Sequence, residues 1–308
     1  MSPDLLQLDR LFLTDAGLET DMVFNRGFDL RCFSSLTLLQ SDGGRRELKA
    51  YFRSFLDLAA RTRTGCVLES ATWRASADWT EPLGLDRVQL NALNQDAIAM
   101  LLELKAEYAA TGVPVLVSGC IGPRGDGYDP GRIMSVDEAT AYHGEQAQVL
   151  IVAGADMLSA ITMTNVPEAI GITRAAAVLG APVVISFTVE TDGRLPTGDD
   201  LGGAIEAVDA ATGTYPAYYM INCAHPTHFA PTLREGEAWT ARVGGLRANA
   251  SRCSHAELDA MTELDAGDPI ELAQSYRALR ERFPHLRVLG GCCGTDLRHV
   301  TAIAEACV

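Results

Sequence analysis

Eight short runs of β-branched and apolar residues recur along the chain, and this succession is the feature that most limits its fold. The runs lie at 11–14, 66–70, 113–118, 156–161, 183–187, 217–222, 241–246 and 287–289, the last leading into Gly290 and Gly291. Longer amphipathic stretches separate them. The stretch at about 46–64 places Leu48, Tyr51, Phe52, Phe55, Leu56 and Leu58 at mostly helical spacing, and 91–110 is rich in Ala and Leu. A third helix is expected over 136–153, opened by Ser135 with Glu138 as its capping-box partner. Eight strands in regular alternation with helices favour a single closed (β/α)8 barrel of the TIM type over an open sheet. No interior segment reads as a linker, so residues 1–308 are expected to form one domain.

Charge narrows the range of partners. The formal net charge is −15, which repels phosphate backbones and anionic lipid surfaces, so neither nucleic acid nor a membrane is expected as a partner. No apolar run reaches the 18 or so residues of a spanning helix, and Met1-Ser2-Pro3-Asp4 lacks the basic and then apolar pattern of a secretory leader. A cytoplasmic protein is therefore expected. In that reducing setting the eight cysteines should act as packed apolar groups, nucleophiles or metal ligands rather than as disulfides.

A barrel of this type does its chemistry where the strands end. Cys223 follows the sixth run directly, and Cys292-Cys293 follow the eighth within Gly290-Gly291-Cys292-Cys293-Gly294-Thr295. On a closed barrel these positions share one rim two strands apart, so three sulfurs can converge. Three thiolates suit Zn²⁺, which prefers four ligands, and a fourth site left open marks a catalytic rather than a structural ion. Cys120, at the end of the third run, is the spare thiol able to approach the metal; Cys32, Cys66, Cys253 and Cys307 are assigned to packing or surface.

At this point the chain resembles the homocysteine S-methyltransferases, a family with betaine-, S-methylmethionine- and cobalamin-dependent members. The resemblance spans nearly the whole sequence. It is carried by Asp15-Ala16-Gly17-Leu18-Glu19-Thr20, Ala71-Thr72-Trp73-Arg74-Ala75-Ser76, Ser186-Phe187-Thr188-Val189, Asn222-Cys223 and the Gly-Gly-Cys-Cys-Gly-Thr segment. It implies a (β/α)8 barrel with zinc held by Cys223, Cys292 and Cys293. It also implies an acceptor thiol, that of homocysteine, in the fourth site, a small onium methyl donor such as S-methylmethionine, and methionine as product. Substrate contacts are expected at Asp15, Ala16, Glu19, Glu69, Thr72, Trp73 and Asn222, with Trp73 facing the donor cation through its ring. No cobalamin or folate module accompanies the barrel, so a free small-molecule donor is expected.

Two positions depart from the family pattern. Ile161 ends the fourth run where the family usually has a Glu that holds the acceptor's ammonium group, which leaves Glu69, Glu19 and Asp15 as substitutes or else points to a different thiol or selenol acceptor. Ala16 replaces a common Gly, with less freedom for positive φ. A third reading, a zinc protein without methyl transfer, needs a fourth cysteine such as Cys120 or Cys253 to close the metal. His225 and His228 follow Cys223 closely, but Pro226 breaks the spacing that would aim both rings at one ion. The Gly-rich segment 119–127 lacks the Gly-Lys-Ser/Thr ending of a phosphate loop and is expected to be a loop shaping the pocket, and 191–198 a turn or rim loop.

Overall fold

The computed structural model describes residues 10–308; the reading of Met1–Asp4 lies outside the described residues. Eight parallel strands close on themselves in sequence order: β1 Phe12–Leu13, β2 Gly65–Glu69, β3 Val115–Ile121, β4 Met157–Met163, β5 Val183–Phe187, β6 Tyr219–Asn222, β7 Val243–Ala248 and β8 Val288–Gly291. Closure is made where β1 pairs with both β2 and β8. All eight expected strands form, as a TIM-type (β/α)8 barrel.

The helices begin where local chemistry permits. Ser41 caps Asp42–Thr62, Asp86 and Gln89 form a capping box on Arg87–Glu107, and Ser135 with Glu138 does the same for Val136–Val152. The sixth crossover is the exception, with only the single turn Pro226–Phe229 and a 3₁₀ turn at Thr240–Arg242 before β7. Among the described residues no helix is long and apolar enough to cross a membrane.

Alternation along the strands gives the barrel interior two characters. Phe12, Val67, Met157, Val184, Tyr218, Met220 and Val288 pack its lower half. Gly65 makes room there for the Phe12 ring, which a Cβ would strike. Two residues further along the same strand faces, the inward positions turn polar: Glu69, Ser118, Ser159, Ser186, Asn222 and Arg247, all buried. A polar layer thus lies beneath the rim, and it decides how the site is built.

Candidate functional site

At the C-terminal rim the three cysteines meet. Cys223 Sγ lies 2.7 Å from Cys292 Sγ and 3.6 Å from Cys293 Sγ. Among the described residues these three are the group of metal-capable side chains whose ligand atoms all lie within 4.8 Å of one another. Cys223 reaches it by taking a left-handed backbone, φ 54°, where β6 ends, a strained geometry of the kind held at functional sites. The adjacent pair is carried by glycines: at Gly290 a Cβ would collide with Thr14, at Gly291 with Thr295, and Gly294 turns the chain at φ 79°.

The donor set fits zinc. Sulfurs about 2.3 Å from a tetrahedral ion stand about 3.8 Å apart, so the 3.6 Å pair already has the spacing and the 2.7 Å pair must part by about 1 Å. Hydrogen bonds with Cys223 and Cys293 hold the Cys292 thiol well below its usual range, with Arg247 adding positive charge. The two neighbours that share this charge are pushed up. Neither Cys120 nor Cys253 belongs to the sulfur group.

A cavity of about 420 Å³ opens above the sulfurs. Asp15, Ala16, Glu19, Glu69 and Trp73 line it together with the three cysteines, Cys120 and Ile161. Thr72 and Asn222 do not reach its wall. Thr72 is buried and donates to Cys120 O at 2.6 Å. Asn222 is wholly buried behind the sulfurs: its Oδ1 accepts from Thr162 N–H at 2.9 Å and Ser186 Oγ at 2.6 Å, and its Nδ2 donates to Thr162 Oγ1 at 2.9 Å and faces Cys292 Sγ at 3.8 Å. Asn222 thus braces the bulge in β4, where Thr162 has φ 66°, against the strand that delivers Cys223.

Three acids and one arginine make the floor. Arg247, at the end of β7, donates to Asp15 Oδ1 at 2.7 Å, to Ala16 O at 3.2 Å and to Gly291 O at 3.2 Å, and approaches Glu69 Oε1 at 3.9 Å. Tyr51 donates to Asp15 Oδ2 at 3.3 Å and accepts from Ala16 N–H at 3.1 Å. Ala16 keeps an ordinary negative φ, so the glycine expected there is not required. Ser35 donates to Glu19 Oε1 at 2.6 Å. Burial pushes Asp15, Glu19 and Glu69 all up from the usual carboxylate range, against the pull of Arg247 on Asp15 and Glu69 and of Ser35 on Glu19.

Trp73 donates to Ile161 O at 3.1 Å, and the Arg74 guanidinium lies 5.0 Å from its ring centre, so one ring face is already occupied by a cation of the protein itself. The two histidines that follow Cys223 bond elsewhere: His225 Nδ1 contacts Thr227 Oγ1 at 2.9 Å, and His228 Nε2 contacts Arg252 O at 3.0 Å.

Three residues at the site were not anticipated. Arg247 lies one residue beyond the expected end of the seventh strand, which continues to Ala248. Tyr128, from the glycine-rich loop after β3, brings its hydroxyl within 3.4 Å of Cys223 Sγ and 3.7 Å of Cys293 Sγ. Its ring stacks on His255 at 3.8 Å, and His255 Nε2 contacts Cys223 O at 2.6 Å while Nδ1 contacts Glu190 Oε1 at 3.1 Å. Tyr128 and His255 are brought to Cys223 from distant loops, and no local pattern marks either. A strand-end arginine among so many acids was the one legible signal.

The family model for homocysteine S-methyltransferase matches residues 12–307. The metallated form of the homocysteine methyltransferase MmuM from Escherichia coli superposes with a TM-score of 0.73 at 22% identity, covering 97% of this chain and 96% of that one. The oxidized form of that enzyme gives a TM-score of 0.73 at 23% identity, covering 98% of each chain. No curated protein sequence matches the chain significantly. With the family pattern running through the whole described barrel, the chain belongs to the homocysteine S-methyltransferase family and is a methyltransferase.

Proposed function

We propose that the protein transfers a methyl group from a small onium donor to the thiol of homocysteine, with zinc held by Cys223, Cys292 and Cys293. The observation that carries this reading is the convergence of three thiols at the base of an open cavity, with no fourth cysteine of the described residues among them. When bound, zinc supplies a site on which the acceptor thiol is held as a nucleophilic thiolate at neutral pH. The likeness to MmuM, a homocysteine methyltransferase with a metallated form, supports both acceptor and metal.

The chain's own residues then hold and orient. Asn222 fixes Cys292 from behind, and Tyr128 offers its hydroxyl proton to the sulfurs. Burial among the thiols pushes the Tyr128 pKa up, so it remains a donor. Arg247 ties Asp15 and Gly291 together and so keeps the first and eighth strand ends in register beneath the thiols. Asp15, Glu19 and Glu69, with Asp126, Asp259 and Glu263 nearer the opening, give the cavity a negative field that draws a cationic donor inward. The acceptor sulfur forms its bond to the methyl carbon as the donor's onium atom leaves in line with the electron pair of the breaking bond. Positioning supplies most of the acceleration, since the onium centre already provides the driving force.

Zinc-edge X-ray absorption on the zinc-loaded protein, before and after homocysteine is added, tests the reading. A rise from three sulfur neighbours to four is expected. Four from the outset would indicate a closed site, and three unchanged by homocysteine would remove it as the acceptor.

A further inference from the structure

The three cavity acids differ in how they are neutralised. Asp15 has both oxygens engaged, one by Arg247 and one by Tyr51. Glu19 accepts from Ser35. Glu69 is 4% exposed, is approached by Arg247 at 3.9 Å on Oε1 and by the hydroxyls of Ser118 and Ser159, and its buried Oε2 has no hydrogen-bond partner. A buried carboxylate oxygen without a donor is costly unless a proton or a cation comes to it. The guanidinium that could serve is already committed to Asp15 and to the carbonyls of Ala16 and Gly291.

The side chain is placed to meet a ligand. It ends β2 and lines the same cavity as the three thiols, a wall it shares with Ser70, Cys120 and Ile161. On the β4 side Ile161 offers no charge. We infer that Glu69 Oε2 receives the α-ammonium group of the acceptor, so that an amino-acid thiol is selected from β2. The assignment rests on the acceptor reading above. An ammonium there supplies the missing donor, and it gives the polar layer a second cation beside Arg247. Burial pushes the Glu69 carboxyl up from its usual range, and a cation bound beside it would offset that cost.

Calorimetric titration of the zinc-loaded protein with homocysteine and with 4-mercaptobutanoate, the same thiol without its amine, tests this with no methyl donor present. Wild type is expected to bind homocysteine about 10- to 100-fold more tightly, and Glu69→Gln to lose that preference while its affinity for 4-mercaptobutanoate changes less than about twofold. A Glu69→Gln protein that keeps the preference, or weakens for both thiols alike, overturns the assignment. Should that variant not fold, a wild-type crystal structure with homocysteine decides: an ammonium nitrogen about 3 Å from Glu69 Oε2 supports the assignment, and one placed elsewhere defeats it. Wild type binding neither thiol would defeat the acceptor reading itself, whereas equal binding of both defeats Glu69 alone.

Discussion

Replacing Arg247 with methionine isolates what its buried charge contributes. The side chain is nearly as long, so packing is largely kept, but Asp15 and Glu69 lose the cation that pairs with them and the carbonyls of Ala16 and Gly291 lose a donor. Arg247 is 6% exposed and Asp15 3%, so solvent does little to compensate. Breaking a buried pair by removing one partner costs about 3–5 kcal/mol. The loss has a pH signature. Both acids already have folded pKa values raised by burial, against the pull of Arg247, and without it they rise further. A carboxyl whose folded pKa exceeds its unfolded value contributes stability that is complete below the unfolded value, about 4, and is lost as pH rises through the folded one. The variant's deficit should therefore be largest at pH 8 and shrink by pH 5, as the acids take up protons. Urea unfolding followed by circular dichroism, with chelator present so that metal binding does not contribute, measures it at both pH values. Arg247→Lys, which keeps the charge but not the fork, should fall between. A deficit below about 1 kcal/mol at pH 8, or one equal at both pH values, would refute this account.

Two further substitutions probe the rim. Cys292→Ser should abolish both stoichiometric zinc, measured by plasma emission, and turnover, because a neutral hydroxyl is a poor partner for the ion; full activity without metal would contradict the proposed centre. Tyr128→Phe removes the hydroxyl that faces Cys223 and Cys293 while keeping the ring stacked on His255, so zinc affinity measured by chelator competition should fall about 10-fold or more with the fold unchanged, and an unaltered affinity would deny the hydroxyl any part in holding the sulfurs.

How the barrel was legible and the site only partly so follows from the range of the interactions involved. Strand and helix positions depend on periodicity and caps, which act within a few residues: β5 lies where it was expected, and the Ser135–Glu138 box opens its helix as read. Strand ends were less well placed. The sequence-based boundary stopped the fourth strand at 161, whereas β4 continues to Met163 through a bulge that Asn222 holds from two strands away. The same shortening at the seventh strand left Arg247 outside it.

By itself, the sequence determined that eight parallel strands would close and that Cys223, Cys292 and Cys293 would stand at one rim, because alternation and strand-end position are local properties that barrel closure turns into proximity. Only the tertiary structure decided which acid is neutralised by which cation, that Tyr128 and His255 reach Cys223, and that Thr72 and Asn222 brace the wall rather than line it. Those are pairings between loops and strands far apart in sequence. Their partners are chosen by burial and by the geometry of the closed barrel, which leaves Glu69, on the cavity wall, with one buried oxygen lacking a hydrogen-bond partner.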